Sequence, residues 1–135
     1  MPAGQGLAPA ERVRHRPEFE RAYETGARIH GRFFTLFVVA NGLTHPRLGV
    51  AATRKLGSAV HRNRAKRLAR EVFRRHKTAT GLDIIIVARR EMLDASFSSV
   101  EADYLATLRK HDPHKPTSPQ RPRSRSTRPR AAARV

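Results

Sequence analysis

Between residues 58 and 76 the apolar side chains Ala65, Leu68, Ala69, Val72 and Phe73 recur at i, i+3, i+4, i+7 and i+8, the spacing of one helical face. A helix with a single apolar stripe must lay it against another layer while its remaining faces stay in water. Those remaining faces are basic. At about 100° per residue, Asn63, Lys66, Arg67, Arg70 and Arg74 gather on a separate arc. Eight Lys or Arg lie from Arg62 to Lys77 against one acid, Glu71, so the ridge lacks the mixed charge of an ordinary surface helix. Ser58, following Gly57, is placed to cap this helix. Arg54, Lys55, Arg62 and Arg64 crowd its beginning, where free helical N–H groups suit phosphate oxygens. Arg and Lys in that setting position a nucleic-acid backbone and do not read bases.

What the stripe packs on can be read from the rest of the chain. Pro17 in a first turn, with Glu18 and Glu20 near the positive dipole end, predicts a short helix over 17–25, closed by Gly26. Phe19, Ala22 and Tyr23 share one face of it, which ordinarily means core packing. A short strand from Arg28 leads through Gly31 into an aromatic and β-branched strand over 32–40, and Asn41-Gly42 marks a turn. Over 47–53, Leu48 and Val50 alternate with Gly49, Ala51 and Thr53, so one strand face is packed and the other shallow enough to floor a groove. The apolar run over 83–89 reads as a central strand. Val100, Tyr104, Leu105 and Leu108 mark a last helix, stopped at Pro113. The order α-β-β-β-α-β-α, its first strands paired as a meander and its last joined across the long helix, predicts an α+β class built as a single two-layer domain.

The 28 Lys and Arg against 11 Asp and Glu leave a formal charge of +17 on 135 residues, which asks for a polyanionic partner. Residues 25–90 hold 15 of those cations and only two acids, Glu71 and Asp83. Residues 1–12 are expected to be a flexible start and 13–112 a globular RNA-binding domain. Residues 113–135, with seven basic residues, no acid and five of the nine prolines, are expected to be a disordered basic Pro/Arg/Ser tail. The absence of cysteine excludes disulfides, thiolate zinc and a cysteine nucleophile. Together with the lack of any signal-like or membrane-spanning apolar stretch, it favours a cytoplasmic protein. Neither a phosphate loop nor a Gly-x-Gly-x-x-Gly or His-Glu-x-x-His pattern is present. His61 and His76 are 15 residues apart, and His111 with His114 lies at the edge of the tail, so solvated histidines are expected, not metal ligands. With no triad and no carboxylate cluster, we expect no catalytic residue and no metal ligand in this chain. A ribosomal or RNA-chaperone protein would use the same ridge. A DNA regulator would need a helix-turn-helix partner that a helix embedded between strands does not have.

From Leu48-Gly49-Val50 through Arg54-Lys55-Leu56-Gly57-Ser58-Ala59-Val60-His61-Arg62-Asn63-Arg64-Ala65-Lys66-Arg67-Leu68-Ala69-Arg70-Glu71, the chain resembles the protein component of bacterial ribonuclease P. The Arg-Asn-Arg-x-Lys-Arg block carries the likeness, which extends over roughly residues 13–110. The resemblance implies a ribonucleoprotein endonuclease, a hydrolase that removes the 5′ leader of precursor tRNA, with magnesium bound mainly by the RNA subunit and none held by this chain alone. It implies an α+β fold with a left-handed crossover, against the usual right-handed preference. The implied partners are ribonuclease P RNA and precursor tRNA, in a heterodimer of one RNA and one protein, with no membrane. Matched residue by residue, it places Arg54, Lys55, Arg62, Asn63, Arg64, Lys66, Arg67 and Arg70 on the RNA-binding face. It maps leader binding to Phe19, Tyr23, Phe37 and Thr53, by stacking that tolerates any sequence. The chain departs mildly: Tyr23 often corresponds to Phe in the family, and Arg54 to Lys.

Overall fold

A computed structural model describes residues 7–77 and 81–111, and the expected tail lies outside them. The elements are α1 (Arg16–Thr25), β1 (Ala27–His30), β2 (Phe34–Ala40), β3 (Arg47–Ala51), α2 (Ala59–Arg75), β4 (Leu82–Ala88), α3 (Glu91–Asp94) and α4 (Phe97–Arg109), which is the predicted order with one unforeseen single turn, α3, before the last helix. Short 3-10 turns at Pro9–Glu11 and Arg54–Leu56 precede α1 and α2. The class is α+β with one mixed four-stranded sheet.

The meander stops after one hairpin. Strand order is β1-β2-β4-β3: β1 and β2 pair antiparallel, β2 and β4 antiparallel, and β3 runs parallel to β4. β4 therefore intercalates between β2 and β3, and α2 is the crossover that joins the parallel neighbours. The reason is burial. Ile84, Ile85 and Ile86 have no polar alternation, so they need both faces covered, and the interior of the sheet supplies that.

Register sorts the strand residues between two cores. Leu36, Val38, Ile84, Ile86 and Leu48 turn to one face and pack with Ala65, Ala69, Val72 and Phe73 of α2 and Val100 and Tyr104 of α4. Phe37, Ile85 and Ala51 turn to the other, where Val13 and the Phe19, Ala22 and Tyr23 face of α1 cover them. Sheet and α2/α4 are the two expected layers, and α1 adds a partial third. α1 is tied down at its first turn. Arg47 Nε and Nη2 donate to the carboxylate of the buried Asp83 at 2.8 and 2.7 Å, Asn41 Nδ2 donates to the same group at 3.0 Å, and Arg47 Nη1 reaches Glu18 at 3.1 Å.

Residues 7–12, expected to be a flexible start, instead run as a strap along β3. Leu7 is buried, Arg12 bridges Leu48 in parallel, and the Val13 amide donates to the Leu48 carbonyl at 2.9 Å. His45 Nε2 lies 2.9 Å from the Ala10 carbonyl, and Glu11 pairs with Lys77 just beyond α2. The strap pairs with the β3 edge at Leu48, where backbone groups would otherwise be open.

Candidate nucleic-acid interface

The loop before α2 turns through Gly57, whose φ of +117° is a conformation that favours glycine. Its carbonyl accepts Arg62 Nη1 at 2.8 Å, so one arginine of the basic block folds back to brace the start of the helix. Ser58 is the N-cap residue, its amide donating to His61 Nδ1 at 3.3 Å. Ala65, Ala69, Val72 and Phe73 are buried beneath α2, with Leu68 half-buried at the margin of the stripe.

The opposite arc is as the periodicity requires. Asn63, Arg64 and Arg67 are exposed, Arg62 is half-buried, and Lys66 and Arg70 are half-buried on the side that meets the strap. Arg54 and Lys55 are exposed in the 3-10 turn. Among the described residues, none of these seven cations forms an ion pair with a carboxylate. The acids are committed elsewhere. Glu71 accepts Arg74 at 2.6 Å and Arg75 at 3.0 Å, and these partners hold its carboxyl below the usual range. Burial, then the neighbouring charges of Arg12 and Arg67, lowers the pKa of the Arg70 guanidinium. Repulsion of this kind is relieved by an anion.

On the other side of the sheet the three predicted aromatics come together. Tyr23 and Phe37 meet edge to face at 4.9 Å, and Phe19 lies 6.4 Å from Tyr23. Phe19 reaches the sheet because Gly49 has no side chain. A Cβ there would stand 2.7 Å from Ile85 Cδ1 and 3.0 Å from Phe19 Cζ. The rings are only 3, 5 and 5 % exposed for Phe19, Tyr23 and Phe37, because α1 sits on them. An open stacking platform is therefore not what they form; they seat α1 on the sheet. Thr53 does not continue the strand parity expected of it. β3 ends at Ala51, and the half-buried Thr53 caps the following 3-10 turn, its Oγ1 accepting the Lys55 amide at 3.3 Å.

Sequence reasoning missed a second basic group on this face. Arg28 lies over Phe37, its guanidinium carbon 5.9 Å from the ring centroid. Arg89 donates to the Gly31 carbonyl at 2.6 Å and to Thr35 Oγ1 at 2.9 Å. His30 adjoins them, its pKa lowered first by burial and then by Arg28, Arg89 and Lys110. These cations are scattered singly along β1 and after β4, and only the strand pairing collects them. The missed Arg12 and Arg14 of the strap did carry a signal, a period-two alternation of basic and apolar residues around Val13.

A sequence profile described as Ribonuclease P matches residues 7–112. The chain belongs to this family. Among the ribonuclease P protein components similar to it, that of Coxiella burnetii is 41 % identical over 101 residues, 73 % of this chain and 78 % of that one. That of Syntrophus aciditrophicus is 40 % identical over 96 residues, covering 70 % and 81 %. The fold is similar to that of the RNase P protein from Thermotoga maritima, with a TM-score of 0.69 at 31 % identity over 76 % of this chain and 98 % of that one. It also resembles the Staphylococcus aureus RNase P protein, with a TM-score of 0.67 at 33 % identity over 73 % and 93 %. As a ribonuclease P protein component, the chain is a subunit of a ribonucleoprotein endonuclease with an RNA partner. This sets aside the ribosomal, chaperone and DNA-regulator readings. Among the described residues no helix is long and apolar enough to cross a membrane.

Proposed function

We propose that the α2 ridge, with Arg54 and Lys55 at its head, is the surface that binds ribonuclease P RNA. The observation that carries this reading is the absence, among the described residues, of any carboxylate partner for Arg54, Lys55, Arg62, Arg64, Lys66, Arg67 and Arg70. Asn63 adds an exposed amide to the same arc. The substrate is precursor tRNA, whose 5′ leader runs along the α1 face, past the wall shaped by Phe19, Tyr23 and Phe37 and the cap at Thr53. The assembly is one RNA and one protein, acting in the cytoplasm. Magnesium belongs to the RNA subunit. The contribution of this chain is to neutralise phosphates and hold two RNAs in register.

The test is reconstitution of the full chain with a bacterial ribonuclease P RNA, reading 5′-leader cleavage at limiting magnesium beside protein-only and RNA-only controls. Stimulation that needs both partners is expected; RNA binding without stimulation would remove the reading. In the same assay, Phe37→Ala, which removes part of the wall on which α1 is seated, should weaken precursor tRNA binding more than mature tRNA binding. Equal losses would make Phe37 a packing residue alone.

A further inference from the structure

Beside the α2 ridge an open groove of about 320 Å³ runs between the strap, the β3 edge and α2. That volume lies at the small end of ligand sites, roughly 300–1,000 Å³. Its floor is apolar, from Leu48, Val50 and Val13, and its walls are cationic, from Arg12, Lys66 and Arg70. No residue lining it is acidic. Arg12 is held in place by Nε donating to the Leu7 carbonyl at 2.9 Å, and the strap itself by the Val13 and Ala10 contacts to β3 and His45. Phe19 forms part of the wall and also belongs to the aromatic cluster on the far side of β3, so the groove connects the ridge with the α1 face.

An apolar floor under convergent cations matches an amphipathic anion, not a bare phosphate and not a paired helix, whose bases are stacked away from side chains. We propose that the groove receives one unstacked nucleotide of an RNA strand, its phosphate on Arg12, Lys66 and Arg70 and its base against the half-buried Val50, which rises from a floor of buried Leu48 and Val13. The proposal rests on the RNA-binding reading of α2 and adds to it a base pocket built by the strap. The burial of Arg70 and its crowding by Arg12 and Arg67 support it, since among the described residues no carboxylate pairs with that guanidinium.

The experiment titrates the full chain with a single-stranded adenosine pentanucleotide, with the same oligomer lacking its central base, with inorganic phosphate and with hexaglutamate, following the methyl resonances of Leu48 and Val50. The intact oligomer is expected to shift both methyl groups and to bind about fivefold more tightly than the abasic one. Val50→Trp, which fills the groove and keeps every cation, should erase that difference. Equal affinity of the intact and abasic oligomers, or equal methyl shifts with hexaglutamate, would overturn the proposal. Binding of ribonuclease P RNA is measured in parallel. If it binds and Arg64→Ala weakens it while the methyl signals stay still, the groove proposal alone falls; if it does not bind, the ridge reading falls with it.

Discussion

Gly49 shows how much one missing methyl group decides. Its hydrogen lets Phe19 and Ile85 close over β3, so Gly49→Ala must displace Ile85 Cδ1 or the Phe19 ring. We expect a loss of about 1–3 kcal/mol in urea unfolding, typical of overpacking a close-fitting core. An unchanged midpoint would mean that α1 is less tightly seated than the contacts indicate. His30 supplies a pH prediction on the same face. Its folded-state pKa is depressed by burial and by Arg28, Arg89 and Lys110, so below pH 6.5 the unfolded chain takes up the proton first. Stability contributed by the neutral ring is present above that pH and is lost as pH falls through the folded value. An NMR titration should place the ring's midpoint below 6.5, and His30→Gln should reduce the fall in urea midpoint between pH 7 and 5.5.

At the scale of elements, the position of α1 is decided by a buried ion pair at its N-terminal end. Asp83 is 1 % exposed and accepts two bonds from Arg47 and one from Asn41, while Arg47 also holds Glu18 in the first turn of α1. Arg47→Met leaves the carboxylate buried without its cation, for which a loss of about 3–5 kcal/mol is expected. A companion Arg47→Met, Asp83→Asn variant should recover part of it, and no recovery in chemical denaturation would mean that the loss comes from packing. On the opposite face α2 is joined to α4 by His76 Nε2 and Glu101 Oε2 at 2.6 Å and by Arg75 over the Phe97 ring at 4.8 Å. The last turn of α2 is thus spent on the fold, and the turns before it are left to the ridge.

For the molecule as a whole, charge is segregated by side. The acids near α2 are consumed by its own last turn and by the strap's Glu11–Lys77 pair, so the field over the ridge is uncompensated. Affinity for ribonuclease P RNA should therefore fall steeply with salt. The double substitution Arg64→Ala, Arg67→Ala should lower the logarithmic slope by about 1.5, at roughly 0.7–0.9 per lost phosphate contact. Thermal stability should change little, since both side chains are exposed and unpaired by carboxylates. A slope equal to that of the parent chain would place the RNA on another face.

Local patterning determined α1, α2 and the four strands to within about two residues, while the single turn α3 had no signal and the last helix ends at Arg109, short of Pro113. α2 with its stripe and ridge was legible because 3.6-residue periodicity is a property of the chain alone, and the Arg62–Arg70 block was legible because charge needs no partner to be seen. The apolar run 83–89 also announced its own burial. What a strand runs beside is another matter. The intercalation of β4 between β2 and β3 depends on competition among faces that lie far apart in sequence, as does the descent of the strap onto Leu48. The same holds for the site. Phe19, Tyr23 and Phe37 were named from a motif, but their burial follows from the Arg47–Asp83 clamp and the missing Gly49 side chain, which press α1 onto the sheet. Periodicity decides which side chains share a face; only packing decides whether that face stays open.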